Sequence, residues 1–178
     1  RQERKDRKRI DLIVSATPSH VARQVWQQAS PLVAAGTPLV SATKGIEPES
    51  LDLMDEVAAE VLPQAVFVAL SGPSFADEVH QRQPTAVVAA SRDLDAARRA
   101  QELFAAGHFR VYTQSDVVGV ELAGSLKNVM AIAAGVLEGL GLGHNPLAAL
   151  LTRGLAEIGR LGAAMGADAS TFAGLAGM

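Results

Sequence analysis

The feature that most constrains this chain is a change of periodicity near Asp116. Before it, short apolar runs alternate with helical patterns; after it, only helical patterns remain. Segments 11–16 (DLIVSA), 38–42 (PLVSA), 66–70 (VFVAL), 85–90 (TAVVAA) and 109–113 (FRVYT) have the length and Val/Leu content of strands, the last being more polar. Helices are expected between them over 19–35, 49–61, 74–80 and 93–105, the last with Leu94, Ala97 and Leu103 facing inward. Ser19 and Ser74 are expected to cap the first and third of these.

Strands alternating with helices imply βαβ units and a largely parallel, Rossmann-like sheet, so the fold class is α/β. Ligands of such sheets bind beyond the carboxyl ends of the strands. Thr17-Pro18, Thr43-Lys44-Gly45 and Ser71-Gly72-Pro73-Ser74 all fall there, so three polar loops are expected to converge on one crevice. Residues 117–137 read as an apolar helix, 139–146 as a turn-rich break, and Pro146 begins a further helix to about Met165. The expected division is therefore a Rossmann-like part over 1–113 and an all-helical C-terminal domain over 114–178.

Composition narrows the function. Of 178 residues, 48% are hydrophobic and 20% charged, which is globular rather than disordered. The net charge of -3 argues against a duplex-binding protein, although basic residues cluster at 1–9 (RQERKDRKR) as a solvated flank. No cysteine is present, which excludes disulfides and thiolate chemistry. No apolar run reaches the ~18 residues of a membrane span and no signal peptide is visible, so the expected location is the cytoplasm, with neither membrane nor nucleic acid as partner.

Lys127 is the first candidate for chemistry. It lies in Gly124-Ser125-Leu126-Lys127-Asn128, inside an otherwise apolar helix. An amine that loses hydration there has a lowered pKa and becomes able to exchange protons. The plain alternative is a lysine whose stem lies on apolar surface while its ammonium reaches water. Lys44, at the end of the second strand, could bind phosphate or polarise a carbonyl; the alternative is a surface turn. In Ser71-Gly72-Pro73-Ser74-Phe75-Ala76, Gly72 lets the backbone approach a ligand closely, or the segment is simply a strand-to-helix turn. Arg153 either lines the crevice or makes an ion pair on a helix surface. His20, His80, His108 and His144 show no metal-ligand spacing, and no metal is expected.

Taken in order, the strings Thr43-Lys44-Gly45-Ile46-Glu47, Ser71-Gly72-Pro73-Ser74-Phe75-Ala76, Asp116-Val117-Val118-Gly119-Val120-Glu121, Gly124-Ser125-Leu126-Lys127-Asn128-Val129-Met130, Leu151-Thr152-Arg153-Gly154-Leu155 and Thr171-Phe172-Ala173-Gly174-Leu175 resemble the bacterial-type NAD(P)-dependent glycerol-3-phosphate dehydrogenases. The resemblance implies hydride transfer between NAD(P)H and dihydroxyacetone phosphate, giving sn-glycerol 3-phosphate for glycerophospholipid synthesis. It implies Lys127 as general acid/base, Lys44, Gly72, Ser74 and Lys127 as substrate-binding, and Lys44 and Ala76 as cofactor-binding residues. It also implies a homodimer. The family's GxGxxG turn does not precede Asp11, and Met178 stands where its tail would continue, so both parts read as incomplete. Two alternatives remain at this point: a 6-phosphogluconate or β-hydroxyacid-type dehydrogenase, and a catalytically silent truncated chain.

Overall fold

The computed structural model describes residues 10–176. The basic cluster at 1–9, and Gly177 and Met178 at the other end, lie outside the described residues. Five strands form one sheet in the order β1 (Ile13–Ser15), β2 (Pro38–Ser41), β3 (Val66–Ser71), β4 (Thr85–Ala90), β5 (Phe109–Gln114). The α/β class expected from the alternation is thus found, with a correction to strand direction. β1, β2 and β3 are mutually parallel, β4 is antiparallel to β3, and β5 is parallel to β4. The cause is the connection after β3. Its only helix, α3 (Ala76–His80), has five residues and a length of about 7 Å, against the roughly 20 Å of a six-residue strand. It cannot carry the chain back to the start of β3, so the chain turns and descends as β4.

Strand residues alternate between two faces. Leu39 packs under α1 (Ser19–Ala29) and α2 (Met54–Val61), in a cluster with Ala22, Trp26, Met54, Val57 and Leu62. The Trp26 ring meets Phe67 edge to face, with centroids 6.3 Å apart. On the same face Ala69, Val88 and Ala90 pack against Val117, Val120, Leu122 and Ala123 of α5 (Val117–Gly139). The opposite face, with Val40, Val68, Val87, Ala89 and Val111, is covered by α4 (Leu94–Phe104). α6 (His144–Ala164) returns alongside α5, and a 3-10 helix, Ala169–Ala173, lies against the first turns of α5.

Several local expectations change. α1 stops at Ala29, because Pro31 lacks the N–H that would continue the ladder and the chain tightens into a 3-10 turn over Ser30–Leu32. α2 begins only at Met54; Leu51, at φ 64°, interrupts any helix from 49. α4 is capped by Asp93, whose carboxylate accepts the Asp95 and Ala96 N–H groups. Its inward face is Ala96, Ala97 and Ala100, whereas Leu94 and Leu103 are exposed: alanines let the helix lie close on the sheet. Ser19 is already the first residue of α1, with Pro18 at the cap, and Phe75 rather than Ser74 occupies the cap of α3.

Helix α5 also corrects the membrane-span reading, since by length and composition alone it could cross a membrane. In this structure only its first turns, with Val117, Val120, Leu122 and Ala123, are buried in the protein core, while Val129, Ile132 and Val136 further along are exposed. Asp116 caps it, accepting the Gly119 N–H at 2.9 Å, and also accepts the Thr171 hydroxyl at 2.6 Å, which ties down the 3-10 helix.

Two carboxyls meet in that core. Glu121 of α5 accepts the backbone N–H of Asp55 at 3.2 Å, and Asp55 pairs with the mostly exposed Arg92 at 2.6 Å. Burial first, and the Asp55 carboxylate second, hold the Glu121 carboxyl well above the usual range, which favours its protonated form beside Asp55. A carboxyl raised on folding weakens the fold as pH climbs from the free-glutamate value through the raised one. Glu121→Gln is neutral, of similar size, and keeps an acceptor for the Asp55 N–H. It is expected to raise Tm at alkaline pH and to flatten Tm against pH, with about 2–4 °C gained per kcal/mol. A parent chain whose Tm does not fall from weakly acid to alkaline pH would show that Glu121 is ionised in the fold.

Candidate active site

The carboxyl ends of β1, β2 and β3 lie on one edge of the sheet, and each runs into a polar loop. Thr43, just after β2, donates its hydroxyl to Thr17 O at 2.8 Å, joining the first two loops. Lys44 Nζ donates to Gly72 O at 3.0 Å, joining the second to the third. Ser74 Oγ donates to the same carbonyl at 3.2 Å, so both lone pairs of Gly72 O are engaged. The three segments expected to converge do so.

Helix α5 supplies the other wall. Gly124 sits so close that a Cβ there would lie 2.6 Å from Ser71 Oγ and 3.8 Å from Lys44 Cγ. Ser71 Oγ is buried at this contact and makes no hydrogen bond with a protein group. Lys127 follows three residues later, on the same helix face. It is half-buried rather than enclosed, and its Nζ lies 5.8 Å from the centroid of the Phe75 ring, in the turn that contains Gly72 and Ser74.

The two lysines share this edge. Lys44 is exposed over its length, yet its Nζ turns inward to Gly72 O. Lost hydration at that end lowers its pKa, and the nearby Lys127 ammonium lowers it further. Gly72 is buried, Ser74 half-buried, and Phe75 and Ala76 are exposed on the outer side of the turn. Asn128 is also exposed. Arg153 faces Glu157 at 3.7 Å on the outer surface of α6, the surface ion pair rather than a crevice residue.

Two groups that the sequence reading left without a role hold the loops in place. Glu47 closes the Thr43–Glu47 string: it accepts from Arg23 Nε at 2.8 Å and Nη2 at 2.7 Å, and from Ser50 Oγ at 2.5 Å. Those bonds, Arg23 foremost, bring its pKa down to about 2, so its contribution is present above the free-glutamate value and is lost as pH falls toward 2. Ser125 Oγ accepts the Gly45 N–H at 3.1 Å. A lone hydroxyl beside a glycine in an apolar helix was the available signal for the second; a glutamate 24 residues from its arginine left none for the first.

Comparison with known proteins bears on the family of the chain. Residues 4–97 match the NAD-dependent glycerol-3-phosphate dehydrogenase N-terminus, and residues 116–178 match the NAD-dependent glycerol-3-phosphate dehydrogenase C-terminus. The chain is similar to the glycerol-3-phosphate dehydrogenase (NAD(P)+) of Geobacter metallireducens, with 63% identity over 171 residues covering 94% of this chain and 51% of that protein. The Bacillus subtilis protein of the same name is 48% identical over 171 residues, 94% of this chain and 50% of that one. Among solved structures, glycerol-3-phosphate dehydrogenase from Coxiella burnetii superposes with a TM-score of 0.88 at 42% identity, covering 94% of this chain and 51% of that one. The chain spans about half the length of the curated relatives it matches. It belongs to the NAD-dependent glycerol-3-phosphate dehydrogenase family.

Proposed function

We propose that the intact protein interconverts dihydroxyacetone phosphate and sn-glycerol 3-phosphate with NAD or NADP, in the cytoplasm, feeding glycerophospholipid synthesis. The observation that carries this reading is the meeting of Lys44 and Lys127 at the Gly72–Ser74 turn, on the strand-end edge of the sheet. Two ammonium groups and the Ser74 hydroxyl suit a small phosphate ester that also bears a carbonyl. The exposed Phe75 ring and Ala76 methyl beside them suit a flat, apolar nicotinamide, which when bound would supply the hydride.

In the direction of reduction, Lys127 gives a proton to the carbonyl oxygen as hydride reaches the carbon, and takes it back in reverse. Lys44 steadies the negative charge that develops on that oxygen and holds the phosphate end against the turn. Gly72 and Ser74 seat the substrate; Ala76 lies toward the cofactor. Residues 1–113 carry the nucleotide-binding part of this work together with Lys44, Gly72 and Ser74, and residues 114–178 are the helical substrate and catalytic part, which supplies Lys127. A homodimer is the assembly we assign to the intact protein. Family membership favours this reading over the 6-phosphogluconate and β-hydroxyacid alternatives.

The test is an assay of the intact gene product with dihydroxyacetone phosphate and NADH or NADPH, followed as loss of nicotinamide absorbance. Consumption with this substrate, fastest with one of the two cofactors, is expected. Consumption only with a hydroxyacid partner or 6-phosphogluconate, or none with any carbonyl compound, would overturn the reading.

A further inference from the structure

We propose that Ser125 is a positioning residue for Lys44, clamping the loop after β2 to helix α5 so that both lysines face one point. The proposal rests on the dehydrogenase reading for its catalytic consequence, but its geometry stands alone. Ser125 Oγ donates to Glu121 O at 2.7 Å, one turn back along α5, and accepts the Gly45 N–H at 3.1 Å. A serine in a helix interior commonly bonds back to the i−4 carbonyl. Here that bond uses the only proton of the hydroxyl and leaves a lone pair facing Gly45, so donor and acceptor roles cannot interchange. The bond spans 80 residues and joins the helix that carries Lys127 directly to the residue after Lys44.

The loop has little room to settle elsewhere. Gly45 has φ 132°, a conformation open to glycine, and a Cβ there would stand 2.7 Å from Ser19 Oγ. Thr43 is held by Thr17 O on one side of Lys44, and Gly45 by Ser125 on the other. Between these two anchors the Lys44 side chain reaches Gly72 O. Removing the Ser125 hydroxyl leaves the Gly45 N–H without that partner and frees one end of the segment. The depression of the Lys44 pKa by burial and by Lys127 depends on the same placement.

The experiment compares Ser125→Ala and Ser125→Thr with the parent in the intact gene product. Lysines are reductively methylated with a 13C label, and the Lys44 signal is assigned with Lys44→Arg and titrated by NMR. Ser125→Ala is expected to move the Lys44 midpoint upward, toward the ordinary lysine value, and to raise KM for dihydroxyacetone phosphate about tenfold with a smaller change in kcat. Ser125→Thr, which keeps the hydroxyl, is expected to restore both. If Ser125→Ala lowers Tm but leaves the Lys44 midpoint in place, the role is structural only and the proposal fails. If no substrate is turned over, the dehydrogenase reading fails, while the Lys44 titration still decides this proposal.

Discussion

Lys127→Ala is expected to lower kcat/KM for dihydroxyacetone phosphate by about 10³-fold, within the range that removal of a proton-transfer group produces. The fold should survive. Lys127 is half-buried and has no salt bridge among the described residues; its recorded partner is the exposed Phe75 ring. A cation over an exposed ring contributes on the order of 0.5–1 kcal/mol, so Tm and far-UV circular dichroism should stay close to the parent. Small primary amines added to the variant should restore part of the rate, because the space left by the ammonium opens to the same edge of the sheet. Turnover of the variant within about threefold of the parent would remove Lys127 from proton transfer, since even weak general acids contribute more than that.

Gly72→Ala is expected to cost about 3–5 kcal/mol of stability, from two separate sources. Gly72 has φ 147°, which an alanine adopts only under strain of about 1–3 kcal/mol. Its new Cβ would also stand 2.9 Å from Val87 Cα and 3.0 Å from Ala86 O. Those are backbone atoms of β4, which cannot rotate aside, so β3 and β4 would have to part. Gly36→Ala is the control: its φ is 79°, but nothing lies within 4 Å, so strain acts there without collision. Urea midpoints of the two variants separate the sources. A Gly72→Ala loss no larger than that of Gly36→Ala would show that β4 yields at no cost. Because Gly72 O also receives Lys44 and Ser74, activity should fall with stability at this position and not at Gly36.

Much of this arrangement was legible in the residues themselves. The run TAVVAA coincides with β4, while the break expected over 139–146 is shorter than expected, because α5 runs to Gly139 and α6 begins at His144, two residues before Pro146. The three loops at the sheet edge, with Lys44 in the second, follow from the alternation pattern and from the place where strands end; Lys127 stood out as a lysine inside an apolar helix, α5. What escaped depended on distance rather than pattern. The reversal of β4 is set by the shortness of α3, yet strand composition is the same in either direction. The inward face of α4 is alanine because the helix lies close to the sheet, which hydrophobicity alone assigns to Leu94 and Leu103 instead. Glu121 is only the last residue of one string in the sequence; the fold alone brings it against Asp55, 66 positions away. Ser74 has the identity of a capping residue, but α3 begins one residue too late for it, with Phe75 at the cap position, and its hydroxyl donates to Gly72 O instead.

The turn-around between β3 and β4 has one more effect. Because β4 and β5 run opposite to the first three strands, β5 finishes at the far rim, and α5 starts there, at Asp116. From that rim to Lys127 the helix climbs about 16 Å, comparable to the height of the sheet, and so brings its amine out beside Lys44. Were all five strands co-directional, the helix would set out from the ligand side and carry Lys127 away from it. A single inverted strand pair therefore acts as a parity switch, deciding at which rim a long helix delivers its reactive end.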